Sequence, residues 1–434
     1  MAVCDRSRAP APSSATIHSA QVRPVLAAMT ASLTGADAAG CVARFLVAIR
    51  HTPVPRNAVI SLLPAGPFFV ADAAFRYRCA PPQRRVPMPE YTGTPDFTHG
   101  MPPRLGLLLV NLGTPDAPTT RAVRRYLAEF LSDPRVVEAP RALWWLALHG
   151  VVLRIRPRRS AAAYARIWTP QGSPLLVHSE ALTQALQRRL AVRFGDRVLV
   201  SLAMSYGLPS IDSALEHLRR QNVRRLLVLP LFPQYSGTTT ASVFARVTAE
   251  LARWRWIPEL RFVNDYHDEE AYLAAVADSV AEHWRLHGRK HLLFSFHSIP
   301  QRYFAAGDPY HCQCQATARG VAARLDLAAD DWSVAFQSRI GREPWLQPYT
   351  DVLLERYAQS GPRQVTVVCP GFAVDCLETL EEIDMRNRAA FFLRGGDELD
   401  YVPCLNSSER HIHLLEQLLI RHAHGWPEIE GRGK

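Results

Sequence analysis

HLLFSFHSIP (residues 291–300) and QVTVVCPGFAVDCLETLEEI (364–383) decide how this chain folds and where its chemistry lies. Each opens with an apolar run of strand length that breaks, at proline or glycine, into polar residues. Such a run, without alternation, marks a strand covered on both faces, as in a parallel sheet. Six further segments fit: RLGLLLVNLG (104–113), RVLVSLAMSYG (197–207), RRLLVLPLFPQ (224–234), LRFVNDY (260–266), WSVAFQSRIG (332–341) and ELDYVPCLN (398–406). Helical stretches alternate with them, among them TTRAVRRYLAEFLSD (119–133), SEALTQALQRRLAVRF (179–194) and EEAYLAAVADSVAEHWRLHG (269–288). Alternation of this kind builds βαβ units. The eight strands fall into two sets of four. They predict an α/β protein of two similar doubly wound domains, each a four-stranded parallel sheet flanked by helices, with one shared cleft at the strand carboxyl ends.

The domains are expected over 104–266 and 267–425, the second closing with a terminal helix. The strand ends of the two sets echo one another: VNLGTP with FSFHSIP, MSYG with QSRIG, LPLFPQ with VCPGF. That is a weak sign of internal duplication. Residues 1–103 read as an N-terminal extension, rich in Ala, Pro and Arg up to residue 87. It is either a disordered leader or a misassigned start, with translation beginning at Met88.

The net charge of +10 belongs mostly to this leader. Residues 1–87 hold 10 Arg against 3 acidic residues, while the remainder holds 40 basic against 37 acidic. A nearly neutral body excludes nucleic acid as the main partner. The eight cysteines follow no disulfide spacing, which fits reduced thiols in a cytoplasmic protein. No stretch reaches the roughly 20 apolar residues that cross a bilayer.

His297 ends the apolar run LLFSF, which puts it at a strand carboxyl end facing the cleft. A histidine there is either a structural hydrogen-bonder or a metal and proton handler. Asp375, Glu378, Glu381 and Glu382 crowd the start of a helix after a Pro-Gly strand end. Helix-dipole stabilisation explains such acids blandly. Glu378 and Glu382, however, share a face and repel. Asp375 is expected to cap the helix near Glu378. Crowded carboxylates have raised pKa values, suited to taking and releasing protons near neutrality. Imidazole and carboxylate together serve metal insertion into a porphyrin, where two pyrrole protons leave as a loosely held metal arrives.

The motifs LLVNLGTPDAPT, FLSDPRVVE, GSPL, MSYG-PS, LPLFPQYS-TT, HSIPQRY-GDPY, FQSRIGREPWLQPYT and PGFAVDCLETLEEI, in this order over residues 104–422, resemble bacterial ferrochelatases. The resemblance implies insertion of Fe²⁺ into protoporphyrin IX, with iron as substrate. It puts His297 and Glu378 at the catalytic metal site, and Glu382 and Asp375 on a path for metal or protons. It lines the porphyrin cleft with Leu112, Tyr164, Tyr310, Trp345 and Phe372, and gives the propionates to Arg156, Arg159 and Ser173. Leu112 stands where some relatives carry Tyr or Met. No permanently bound cofactor is expected. The iron–sulfur cluster of some members needs cysteines not matched here: Gly237 occupies one such position and no Cys follows Cys404. RALWWLALHGVVLRIRPRR (141–159) is similar to the mobile lip over the porphyrin, and its tryptophans and arginines suit peripheral membrane contact. An ordinary core helix is the competing reading.

Two other functions compete. A cobalt or nickel chelatase of a corrin precursor shares the His and Glu but lacks the LPLFPQYS and FQSR-G-PWL blocks. A porphyrin or haem carrier without turnover has no need of acidic crowding at Glu378 and Glu382.

Overall fold

The computed structural model describes residues 91–95, 97–341 and 343–431. Everything described lies in one compact unit within Val86–Lys434. The leader up to residue 90, with Met88, falls outside the described residues.

The first half runs β1 (Arg104–Gly113), α1 (Thr120–Ser132), α2 (Arg141–Ala147), a π-helical turn (Leu148–Val152), α3 (Leu153–Ile167), α4 (Pro174–Phe194), β2 (Val198–Tyr206), α5 (Ile211–Arg220), β3 (Val223–Pro230), α6 (Thr240–Leu251) and β4 (Glu259–Phe262). The second runs α7 (Glu270–His287), β5 (His291–His297), α8 (Gln301–Ala305), α9 (Tyr310–Arg324), β6 (Trp332–Gln337), α10 (Thr350–Ser360), β7 (Gln364–Val368), a π-helix (Glu378–Asn387), α11 (Arg388–Leu393), β8 (Glu398–Val402), α12 (Glu409–His422) and α13 (Pro427–Glu430). All eight expected strands form. The sheets are ordered β2-β1-β3-β4 and β6-β5-β7-β8, every ladder parallel. Both halves thus share one topology, which their matching strand ends foreshadowed.

Local chemistry sets the boundaries. Thr119, Ser210 and Ser408 cap α1, α5 and α12, each side chain accepting a backbone N–H of the first turn. Pro174 occupies the first turn of α4, where its missing N–H costs nothing. Gly113 ends β1 at φ +112, and a Cβ there would lie 1.8 Å from the Tyr206 carbonyl oxygen. Only glycine permits that turn beside β2.

The halves are not independent bodies. One hydrophobic cluster takes Leu107, Leu182, Leu186 and Leu229 from the first and Phe294, Phe296, Leu415 and Trp426 from the second. The chain's end returns to the beginning: Arg225 pairs with Glu428 at 2.7 Å, and Arg189 with Glu416 at 2.6 Å.

Residues 91–103, expected to belong to a loose extension, are docked where described. Thr92 exchanges backbone hydrogen bonds with Arg253 and Arg255, and Asn222 Nδ2 donates to the Met101 and Pro102 carbonyls. Arg224 stacks on Trp256 and Phe97. Among the described residues no helix is long and apolar enough to cross a membrane.

Candidate active site

His297 is the last residue of β5, and parallel pairing sets it opposite Gln337, the last residue of β6. The imidazole is half-buried. Its Nδ1 lies 2.6 Å from the Ser298 carbonyl oxygen, which only accepts, so Nδ1 carries the proton. The lone pair of neutral His297 is therefore on Nε2.

Gln337 is buried and spans the gap to the π-helix. Its Nε2 donates to the main-chain oxygen of Glu378 at 2.9 Å, and its Oε1 accepts from Ser295 Oγ at 2.6 Å. Ser338 follows at φ +67, the left-handed region that non-glycine residues rarely adopt. Its N–H donates to Glu382 Oε1 at 3.0 Å, and its hydroxyl donates to Oε2. Strain of this kind is concentrated where function fixes the backbone.

The acidic segment is a π-helix over all of Glu378–Asn387, an uncommon form that recurs at functional sites. Glu378 and Glu382 are half-buried, whereas Glu381 is buried and paired with Arg166 and Arg386. The carboxyl of Glu382 is pushed up chiefly by burial, with Glu378 adding to the rise; Ser338, Arg386 and His297 oppose it. Crowding was the expected cause, but desolvation is the larger one.

Across the cleft stand residues of the first half. Burial lowers the Arg156 guanidinium, while the fields of Glu378, Tyr126 and Tyr164 raise it. Burial also pushes the Tyr126 and Tyr164 phenols far up, and Glu378 adds to both. Leu112, Trp144, Leu377 and Leu380 pack around these rings in one apolar cluster. Tyr126, whose hydroxyl donates to the Gly113 carbonyl at 3.1 Å, was not among the expected site residues. Its place on the buried stripe of α1, with Val123 and Leu127, reads as core.

Several expected placements are corrected. Tyr310, like Tyr164, is buried. It heads the buried stripe of α9 with Cys314, Thr317, Ala318 and Val321, so helical periodicity turns it into the core. Asp375 does not cap the helix, for its side chain accepts from the Thr379 hydroxyl and not from an N–H of the first turn. It is buried, and its oxygens accept from Thr379 Oγ1 (3.0 Å), Tyr401 Oη (2.5 Å), the Cys404 N–H (3.4 Å) and Asn406 Nδ2 (2.7 Å). A carboxylate filled by four donors holds the loop before Glu378 in place. Ser173 is buried and accepts from Thr114 Oγ1 at 2.8 Å, so it braces α4 against the strand-end turn rather than meeting a propionate at the surface. Phe372 is wedged between two core clusters. Arg159 is exposed on α3 and makes no ion pair among the described residues. Trp345 is held opposite Pro300 by hydrogen bonds from the Leu346 N–H to Ile299 O (3.0 Å) and from the Gln301 N–H to Pro344 O (2.9 Å).

Segment 141–159 is no core helix. Leu143, Trp145, Leu146, Val151 and Ile155 are all more than half exposed. Leu148 and Leu153 turn inward and are buried, and Trp144 follows them, its indole N–H donating to Leu131 O at 2.6 Å.

Two like parallel sheets, with a free imidazole nitrogen on one strand end and carboxylates on a π-helix braced against the neighbouring strand end, suit a metal chelatase. The ferrochelatase family profile matches residues 104–423. Ferrochelatases of Thioalkalivibrio sulfidiphilus and Nitrosococcus oceani are each 53% identical over 339 and 341 residues, covering 78% of this chain and 92% of each relative. The ferrochelatase of a Polaromonas species is 54% identical over 338 residues, 77% of this chain and 92% of its own. Among solved structures, the cobalt complex of the sirohydrochlorin chelatase SirB from Bacillus subtilis subspecies spizizenii is 10% identical, covering 76% of this chain and 98% of its own at a TM-score of 0.42. The chain belongs to the ferrochelatase family.

Proposed function

We propose that this protein inserts Fe²⁺ into protoporphyrin IX, with His297 and Glu378 as the reacting pair. The observation that carries this reading is their junction: His297 and Gln337 face each other across one ladder, and the Gln337 amide holds Glu378. The porphyrin lies in the cleft with its pyrrole nitrogens toward these groups. Its two N–H protons leave as Fe²⁺ binds, giving haem and two protons. His297 Nε2 offers a lone pair for a proton, and Glu378 and Glu382 offer anionic oxygens to a cation shedding water. Leu112, Tyr164 and Trp345 form walls that hold the ring. Arg156 is the inner guanidinium for a propionate, and Arg159 the outer one.

The test is anaerobic turnover with Fe²⁺ and either protoporphyrin or coproporphyrin. His297→Ala and Glu378→Ala are each expected to lower kcat at least about 100-fold, the lower end of the range for losing a proton-transfer group. Wild-type rates in either variant remove that residue from the reaction. Saturation at one equivalent of product means a carrier; preference for cobalt or nickel and a corrin precursor means the other chelatase.

The exposed apolar side chains of 141–159, with Arg154, Arg158 and Arg159 exposed among them, support peripheral contact of a cytoplasmic enzyme with an anionic membrane. Flotation with anionic liposomes, lost in Trp145→Ser combined with Ile155→Ser, tests it. The enzyme works without an iron–sulfur cluster, a reading supported by Gly237 at one of the positions such a cluster needs and by the lack of any Cys after Cys404. Absorption at 400–460 nm with stoichiometric iron and sulfide overturns it.

A further inference from the structure

We infer that Gln337 is a positioning residue for metal insertion: its carboxamide sets the distance between the His297 imidazole and the Glu378 carboxylate. The inference rests on the reading that those two side chains carry the reaction.

Glu378 is not placed by a strand. β7 ends at Val368, and the chain reaches Glu378 through a stretch of irregular backbone. The loop is tied on its far side, where Asp375 meets Tyr401 and Asn406, but those contacts do not face His297. On the near side Gln337 supplies the tie. The Glu378 carbonyl can only accept, so the amide must present Nε2 to it, at 2.9 Å, and Oε1 to Ser295 Oγ, at 2.6 Å. Ser295 is in turn 2.8 Å from Thr350 Oγ1, at the head of α10. Gln337 O also accepts the Ser298 N–H at 2.8 Å, holding the backbone next to His297. One side chain thus joins the strand of the imidazole to the main chain of the carboxylate.

The next residue extends the tie to Glu382. Ser338 gives it both N–H and hydroxyl, and reaches it only through a left-handed backbone. Gln337 is 3% exposed. It is too enclosed to touch a porphyrin face as a ligand, and both polar atoms of its amide already have partners. What it controls is geometry, and displacement of a reacting group by about 1 Å costs about 100-fold in rate.

The experiment compares Gln337→Leu with the wild-type enzyme, and Gln337→Met as the unbranched alternative should leucine not fit. Porphyrin binding sites are titrated by fluorescence quenching, turnover is expressed per binding site, and thermal midpoints are recorded. The expected result is an unchanged Kd and KM for protoporphyrin, within about twofold, with kcat per site lowered about 10- to 100-fold. Turnover per site within twofold of wild type in either folded variant overturns the inference. Parallel loss of binding and turnover, or failure of both variants to fold, assigns Gln337 to stability alone and overturns it as well. His297→Ala and Glu378→Ala run alongside. If they remain active, it is the underlying reading that fails; if they are inactive while Gln337→Leu is active, it is this inference.

Discussion

Replacing Asp375 by Asn changes one oxygen to NH₂ in a site whose four partners all donate to the carboxylate as arranged. Three donors meet Oδ1 of the carboxylate and one meets Oδ2, and the residue is 4% exposed. Asparagine keeps one acceptor and turns two N–H groups toward either Asn406 Nδ2 or the trio of Thr379, Tyr401 and Cys404. Asn406 cannot simply flip, because its Oδ1 accepts the Asp375 N–H at 2.9 Å. The variant loses charge-assisted hydrogen bonds worth about 1.5–3 kcal/mol and strands a buried donor at about 1–3 kcal/mol, a loss of roughly 3–5 kcal/mol. With an unfolding entropy near 2.1 cal/mol/K per residue over roughly 340 residues, that lowers Tm by about 4–7 °C. Thermal denaturation followed by circular dichroism measures it, with kcat per folded molecule at 25 °C as the companion reading. Refutation would be a Tm within 1 °C of wild type with turnover abolished, since that is the signature of a proton carrier and not of an anchor.

Arg156→Ala separates two uses of one guanidinium. A propionate ligand raises the KM for porphyrin more than it lowers kcat. Lowered kcat at unchanged KM instead ties the side chain to Glu378, whose field it shares. The buried His411, Nδ1 bonded to the Asn406 carbonyl, has its pKa lowered to about 4 by desolvation. Its neutral form is retained on folding, so the stability it contributes is present above about pH 6.5 and lost as pH falls toward 4, roughly 3 kcal/mol in all. Urea midpoints measured from pH 7 to 4.5 should show a slope flattened by about one proton in His411→Gln; equal slopes refute the assignment.

Strands buried on both faces, such as β1, β3 and β5, are apolar almost throughout and were legible as unbroken runs, and the strand-end position of His297 followed from the same pattern; the edge strands β4 and β8 carry charges and were legible only from the alternation of strands and helices around them. The acidic helix was legible as an element but not as a π-helix, because no spacing of side chains distinguishes the i→i+5 hydrogen bond in advance. Asp375 was misread for a related reason: its partners Tyr401 and Asn406 lie 26 and 31 residues onward and meet it only through tertiary folding. Tyr310 carried a readable warning. Residues 310, 314, 317, 318 and 321 mark one helical stripe, which points a tyrosine inward more often than toward a ligand. Gln337 and Ser338 stood inside a quoted motif without a role, since a brace is visible only when both of its ends are in view.

The ion pairs that join Arg225 to Glu428 and Arg189 to Glu416 bear on how the protein is made. Translation delivers the leading sheet long before α12 and α13, yet α4, which carries Leu182 and Leu186, packs against α12, and Leu415 and Trp426 complete the cluster those leucines belong to. The nascent amino-terminal half therefore waits on the ribosome with a greasy face uncovered, the situation that recruits chaperones and invites aggregation. A stop codon shortly before residue 409 would leave the whole of His297, Glu378 and their braces in the product, and still yield no enzyme.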